Sequence, residues 1–188
     1  LPPVKGKIVV TVQDLVYKIF PEHHTPSAVE MTQRQMETIT ARAHKIICIS
    51  HSTKSDMERF FPETKNRLSV IYNGVDHNIF YALSEQEKLK AIEVLKKMGI
   101  EDLFILSVGT LEPRKNLANV LKAFDILKLR NQFYGKLVVV GKVGWMSDAI
   151  KNVLENLKSR KDVVFLGFVE DDVLNILYNL AKVFVFPS

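Results

Sequence analysis

Apolar residues along this chain fall into two alternating patterns, short unbroken runs and longer stripes at helical spacing. Lys7–Val12 (Lys-Ile-Val-Val-Thr-Val) is a β-branched run and reads as a buried strand. Pro21, Pro26 and the pair His23-His24 then mark a loop. Thr25-Pro26 has the form of an N-cap followed by proline at the first helical position. It predicts a helix to about Ala43, with Val29, Met36, Ile39 and Ala43 on one face. Lys45–Ile49 is the next strand, and Ser50-His51-Ser52 opens a helix that ends near Phe61, before Pro62. Leu68–Tyr72 is a third strand, broken by the turn signal Asn73-Gly74.

Past Asp76 the pattern becomes more regular. Ser84 and Glu87 form a capping box, Leu89, Ile92 and Leu95 predict the buried face of the helix it starts, and Gly99 closes that helix. Strands over Leu103–Val108, Leu137–Val140, Val163–Leu166 and Val183–Phe186 alternate with helices over Leu117–Leu129, Asp148–Lys158 and Asp172–Leu180. The helical stripes are Leu117, Val120, Leu121 and Phe124; then Ile150, Val153, Leu154 and Leu157; then Leu174, Leu177 and Tyr178. Unbroken apolar strands alternating with amphipathic helices mean an α/β architecture with parallel sheets covered on both faces. Two lobes meeting near Asn73–Asp76, residues 1–75 and 76–188, organise the pattern most economically.

Composition narrows the class without changing this picture. The chain has 188 residues, 47% hydrophobic and 25% charged, which excludes disordered, collagenous and disulfide-stapled classes. Net charge is +5. Up to Asp102 there are 14 cations and 13 anions, and beyond it 12 and 8, so the excess sits in the second part. That suits an anionic ligand there and is too mild to argue for nucleic acid. Cys48, the one cysteine, lies within Ile46-Ile47-Cys48-Ile49, which reads as an inert buried thiol in a reducing, cytoplasmic compartment. A start at Leu1 and an end at Ser188, just past an apolar run, read as cuts in a longer protein.

Open parallel sheets bind ligands beyond the carboxyl ends of their strands. Gly109-Thr110-Leu111-Glu112-Pro113-Arg114-Lys115-Asn116 follows the first strand of the second lobe. Gly109 permits a close backbone approach, Asn116 is a good N-cap, and Arg114 and Lys115 precede a helix. Cations there run against the helix dipole, which invites an anion such as phosphate as strongly as it suggests solvated surface charge. Gly141-Lys142-Val143-Gly144-Trp145 follows the next strand, with the choice between a phosphate or sugar cradle and an ordinary loop with a packed Trp145. Gly167-Phe168-Val169 follows the third and reads equally as a base platform or a turn with a core Phe. In the first lobe, Gln13-Asp14 ends a strand, where Asp14 either faces a ligand or caps the next turn, and His51 ends another. His23-His24 lacks a third ligand at zinc spacing.

These loops, in this order and spacing, resemble the family 4 glycosyltransferases over nearly the whole chain. Val108–Leu117 resembles the family's donor-phosphate loop. Ile49–Asp56 and Val70-Ile71-Tyr72-Asn73-Gly74-Val75-Asp76 are similar to the end of its acceptor domain and the crossover. Val138–Lys142 with Gly144-Trp145, Phe165–Val169 and Val183–Ser188 match further family segments. The resemblance implies a GT-B fold of two Rossmann-like lobes with parallel sheets, both incomplete here. Residues 1–75 would be the C-terminal part of the acceptor-side domain and 76–188 a truncated donor-binding domain.

It also implies a retaining transfer of a hexose from a nucleotide-diphosphate sugar to a glycan or lipid-linked acceptor. Arg114 and Lys115 would bind the diphosphate and stabilise its developing charge, in place of a metal or other cofactor. Gly109, Thr110, Gly141 and Lys142 would line the donor site, Phe168 and Val169 would contact the base, and Gln13 and Asp14 would lie on the acceptor side. The Gly-Thr-Leu-Glu-Pro-Arg-Lys-Asn variant with Gly-Lys-x-Gly-Trp most resembles mannosyltransferases of polysaccharide pathways, which favours GDP-mannose over UDP- and ADP-sugars. The cationic excess of the second part permits peripheral contact with the inner face of a membrane. Two departures stand out. Gln13 stands where many members have His, and the family's paired-glutamate motif is expected just beyond Ser188. Some members carry Arg where this chain has Thr110, and Arg114 would supply that charge. A nucleotide-sugar-binding module without catalysis and a GT-B enzyme such as a sugar-nucleotide epimerase are the alternative readings.

Overall fold

The runs and stripes resolve into two parallel sheets in the computed structural model, which describes residues 5–101, 103–142 and 148–188. The chain divides into the units Leu1–Val75 and Asp76–Ser188. The first contains β1 (Val9–Val12), α1 (Val16–Ile19), α2 (Pro26–Arg42), β2 (Lys45–Cys48), α3 (His51–Phe60) and β3 (Leu68–Val70). Its strands lie in the order β1-β2-β3, with Val12 opposite Cys48 and Cys48 opposite Val70.

Local chemistry sets these elements. Thr25 Oγ1 accepts from the Ala28 amide and Ser50 Oγ from that of Thr53, so both helices begin at side-chain N-caps. Met36 and Ala43 are buried and Val29 and Ile39 pack beside them, as the α2 stripe predicts. The loop expected between β1 and α2 is instead α1 followed by a 3-10 turn, Pro21–His23. Asp14 Oδ1 accepts from the Val16 amide, and Leu15 and Tyr17 are buried, so core packing folds a segment too short to show periodicity. Arg67 donates to the carbonyls of Ala43 at 2.6 Å and Thr40 at 2.7 Å, satisfying the open carbonyl end of α2. Cys48 is fully buried, and burial pushes its thiol pKa up.

The second unit contains α4 (Glu85–Lys97), β4 (Phe104–Val108), α5 (Leu117–Leu129), β5 (Lys136–Val140), α6 (Asp148–Asn156), β6 (Val163–Gly167), α7 (Asp171–Leu180) and β7 (Val183–Phe184). Its strands are all parallel, in the order β6-β5-β4-β7. The period of two along each strand sorts side chains to two faces. Ile105, Leu137, Val139, Val163 and Phe165 meet α5 and α6, whereas Phe104, Leu106, Val138, Val140 and Val164 meet α4 and α7.

The capping box of Ser84 and Glu87 forms, but the α4 face differs from the expected one. Ala91 and Leu95 turn inward, and Leu89 stays 67% exposed. Ile92 is 38% exposed, so the buried side of α4 runs through Ala91 and Leu95 rather than through Leu89 and Ile92. Tyr178 sits at the rim rather than inward, its ring edge-on to Phe80 and Phe184. The β7 ladder ends at Phe184, although the Val185 amide still donates to Leu106.

Cys48 reports on the first unit's integrity. Its reaction with a thiol reagent at pH 8 is expected to be roughly a hundredfold or more slower than a free thiol's. Arg67→Met should lower stability by about 2 kcal/mol, because two carbonyls lose a charged donor. It should therefore speed labelling. Labelling at the free-thiol rate in the unmutated protein would contradict this core.

Candidate functional site

The second sheet changes direction once. The chain steps outward from β4 to β5 to β6, then crosses back to place β7 on the other side of β4. In open parallel sheets such a reversal of strand order marks where ligands bind, beyond the carboxyl ends of the strands on either side of it, here β4 and β7. A glycine at positive φ stands where the chain leaves each of β4, β5 and β6: Gly109 at 153° and Gly141 at 145° just past their strands, and Gly167 at 69° as the last residue of β6. The loops that follow are hydrogen-bonded to one another. The Gly109 amide donates to Val140 O at 2.8 Å, Leu111 to Lys142 O at 3.0 Å, and Gly141 to Gly167 O at 2.7 Å. A Cβ at Gly141 would collide with the carbonyl of Gly109, so this contact needs glycine twice over, for space and for φ.

Beyond Gly109 the chain exposes Thr110, buries Leu111, and turns through a 3-10 segment, Pro113–Lys115, into α5. Asn116 is not the side-chain N-cap that its identity suggests. It adopts the left-handed conformation (φ 58°, ψ 27°), whereas capping needs an extended residue. Its Oδ1 accepts from Asn119 Nδ2 at 2.8 Å instead.

The two cations of this loop are held differently. Arg114 Nε donates to Glu112 Oε1 at 2.7 Å. Lys115 Nζ lies 4.6 Å from the centre of the Phe186 ring. Ser107, Gly109, Thr110, Leu111, Lys115 and Phe186 surround a cleft of about 10 Å³ at the strand ends, room for one water. Any larger ligand there rests over the loops rather than within the cleft. Lys142 Nζ lies 5.1 Å from the centre of the Phe168 ring, which is 63% exposed, while Val169 packs partly into the core beside α7.

The structure thus brings Gly109, Thr110 and Lys115 together, links them through Gly141 to Gly167, and sets Lys142 with Phe168. Arg114 is directed to Glu112. Val143, Gly144 and Trp145 lie outside the described residues. Gln13 and Asp14 are exposed in the first unit, where the Gln13 carbonyl accepts from Thr53 Oγ1 and Asp14 closes the local turn into α1. His51 opens α3 with its ring edge-on to Tyr72. Phe186 is a site residue that the sequence pattern places only in a buried strand. The available signal is its position at the carboxyl end of the strand that follows the crossover.

Larger grooves lie elsewhere, one of about 640 Å³ along α2 and one of about 470 Å³ between α4 and α7, neither at a strand end. Among the described residues no group of three His, Cys, Asp or Glu side chains is placed to share a metal ion. No helix among them is long and apolar enough to cross a membrane.

A parallel sheet that reverses direction beside glycine loops places the second unit among α/β proteins whose ligands bind at strand ends. Comparison with known proteins narrows this class. The family described as Glycosyl transferases group 1 matches residues 87–188, and Glycosyltransferase Family 4 matches residues 5–79. An uncharacterized glycosyltransferase of Methanocaldococcus jannaschii is 34% identical over 79% of this chain and 37% of its own length. The O-antigen chain mannosyltransferase B of Escherichia coli is 25% identical over 100% of the chain and 49% of its length. Among solved structures, Anabaena HepE in complex with UDP and glucose superposes with a TM-score of 0.71 at 20% identity, covering 97% of this chain and 46% of HepE. The chain belongs to the group 1 glycosyl transferases of family 4, and its fold is of the GT-B type. It spans about half the length, or less, of the relatives it matches.

Gly141→Ala should cost about 2–4 kcal/mol, since strain at positive φ adds to a backbone collision. Gly109→Ala should cost less. The nearest atom to its Cβ is 3.7 Å away, so only the strain term applies. Urea midpoints of the two variants check the order, and equal losses would show that the Gly141–Gly109 contact does not constrain these loops.

Proposed function

We propose that this protein transfers a hexose, mannose in the first instance, from a nucleotide-diphosphate sugar to a glycan or lipid-linked acceptor with retention. The observation that supports this reading best is the loop after β4. It sets Gly109, Thr110 and Lys115 at the point where the second sheet reverses, with Arg114 next to Lys115 in the chain. In this reading the diphosphate lies across the loop and is met by Lys115. The Arg114–Glu112 pair is 38% and 16% exposed in its side chains, and such partly solvated pairs are weak. A diphosphate competes with Glu112 for the guanidinium.

In the reaction, the C1–O bond between sugar and diphosphate breaks. A bond forms from C1 to the acceptor oxygen on the same face, and the acceptor proton passes to the departing phosphate oxygen. Negative charge grows on that phosphate, and in this reading Arg114 and Lys115 stabilise it in place of a metal ion. Lys142, Gly141, Phe168 and Val169 complete the donor side, with Phe168 as the exposed surface for a base. Gln13 and Asp14 serve the acceptor side. The likeness to a mannosyltransferase supports mannose and hence GDP-mannose, and work at the inner face of a membrane follows from a lipid-linked acceptor. UDP is a competing choice, because HepE was solved with it.

Calorimetric titration with GDP, UDP, ADP and guanosine tests the binding half. GDP is expected to bind and guanosine to bind far more weakly. Arg114→Ala is expected to weaken GDP roughly ten- to hundredfold, as loss of a hydrogen bond to a charged group does. Unchanged GDP affinity in that variant would remove Arg114 from the diphosphate site. Transfer of mannose from GDP-mannose by the full-length protein tests the catalytic half. Binding without transfer would instead support a nucleotide-sugar-binding module, a reading that draws on Gln13, whose amide cannot act as a base.

A further inference from the structure

We propose that the groove between α4 and α7 is a docking site for a partner protein, which it takes through a short extended segment of apolar and basic residues. This goes beyond the donor-site reading and does not depend on it.

Three observations carry it. The groove holds about 470 Å³, the size of a small-ligand pocket, and its lining residues Ile79, Tyr81 and Val94 all stay exposed. The second observation is Asn175, a polar side chain only 5% exposed that lines the same groove. Its Oδ1 accepts from the Tyr81 amide at 3.2 Å and from Asn179 Nδ2 at 3.2 Å. A backbone N–H can only donate, so Oδ1 is the atom turned to Tyr81, and Nδ2 is left on the other branch of the carboxamide. Among the described residues that Nδ2 has no hydrogen-bond partner. The third is charge. Glu87, Asp171 and Asp172 line the groove against Lys90 alone, on a chain whose net charge is +5.

Together these select the occupant. A buried donor without a partner is costly, and a carbonyl oxygen brought into the groove would satisfy it. An extended segment has such carbonyls open, whereas a helix uses its own. Alternate side chains of an extended segment fall on one face. Apolar ones can cover Ile79, Tyr81 and Val94 while Lys or Arg beside them reach the carboxylates. Asp171 makes no hydrogen bond or ion pair among the described residues, so its charge is open to a cation. Glu87 is held by Ser84, and Asp172 Oδ1 accepts from the Val173 amide. Carboxylates in the first turn of α7 also suit its dipole, so charge chooses the occupant here and does not by itself define the site. The site is defined by the apolar wall and the open amide donor.

The test follows the Asn175 side-chain amide by NMR in the full-length protein while the end-blocked peptide Lys-Val-Lys-Leu-Lys is added. Glu-Val-Glu-Leu-Glu and Lys-Ser-Lys-Ser-Lys are the controls. The basic apolar peptide is expected to shift the Asn175 Nδ2 protons and the Val94 methyls, and both controls should bind at least tenfold more weakly. Asp171→Asn with Asp172→Asn should weaken the peptide roughly three- to tenfold, as loss of two exposed charges does. Val94→Lys, at an exposed position, should weaken it tenfold or more. Equal binding of the acidic peptide, full binding by Val94→Lys, or an unmoved Asn175 amide at millimolar peptide overturns the proposal. So does the appearance of the same shifts on raising the protein concentration alone, which would assign the groove to a second copy of the chain. The Asn175 shift and the peptide controls need no variant to fold.

Discussion

The second unit depends on the close meeting of three strand ends. Parallel strands that end side by side bring their outgoing backbones together, and here those backbones are hydrogen-bonded where they turn. Gly141 makes this possible, because any side chain there would enter the carbonyl of Gly109. Gly109, Gly141 and Gly167 all take positive φ where the chain turns away from the sheet. Because the loops are tied to one another, the turn carrying Arg114 and Lys115 starts from a fixed point. A cation on an untethered loop would contribute less to any ligand, since it would first have to be ordered.

Around that point, charge and packing divide the work. The sheet is filled on both faces, so its ends are held by two separate cores. Asn175 and Asn179 of α7 bind the backbone of Tyr81 and Leu83, which fixes the segment entering α4. The strand-end surface has a buried scaffold, a glycine layer, and above it a layer of cations and exposed rings. That order suits an anionic ligand with a flat group attached, the chemistry of the donor proposed above.

Much of this is legible in the sequence, for identifiable reasons. Apolar runs such as Leu137–Val140, short, rich in valine and followed by glycine, read as strands buried on both faces, and stripes such as Leu117, Val120, Leu121 and Phe124 fit one helical face. The strand-end glycines are visible because each follows such a run directly. What escapes depends on tertiary context. α1 is four residues long, below any period. The inward face of α4 turns on Ala91, a residue whose hydrophobicity is too slight to mark a face beside Leu89 and Ile92. Asn116 has the identity of a cap for α5, and loop geometry puts it in the left-handed region instead. The Glu112–Arg114 and Phe186–Lys115 pairings need coordinates. The first depends on the turn between the two residues, and the second joins positions 71 residues apart in the chain.

The central claim is that ligands meet this chain at the glycine-tied ends of β4, β5 and β6. Amide chemical shifts recorded during a GDP titration test it most directly. The account predicts that perturbations concentrate at Gly109–Leu111, Lys115, Gly141–Lys142 and Gly167–Phe168. Perturbations confined to the α2 groove or to the groove between α4 and α7 would contradict it.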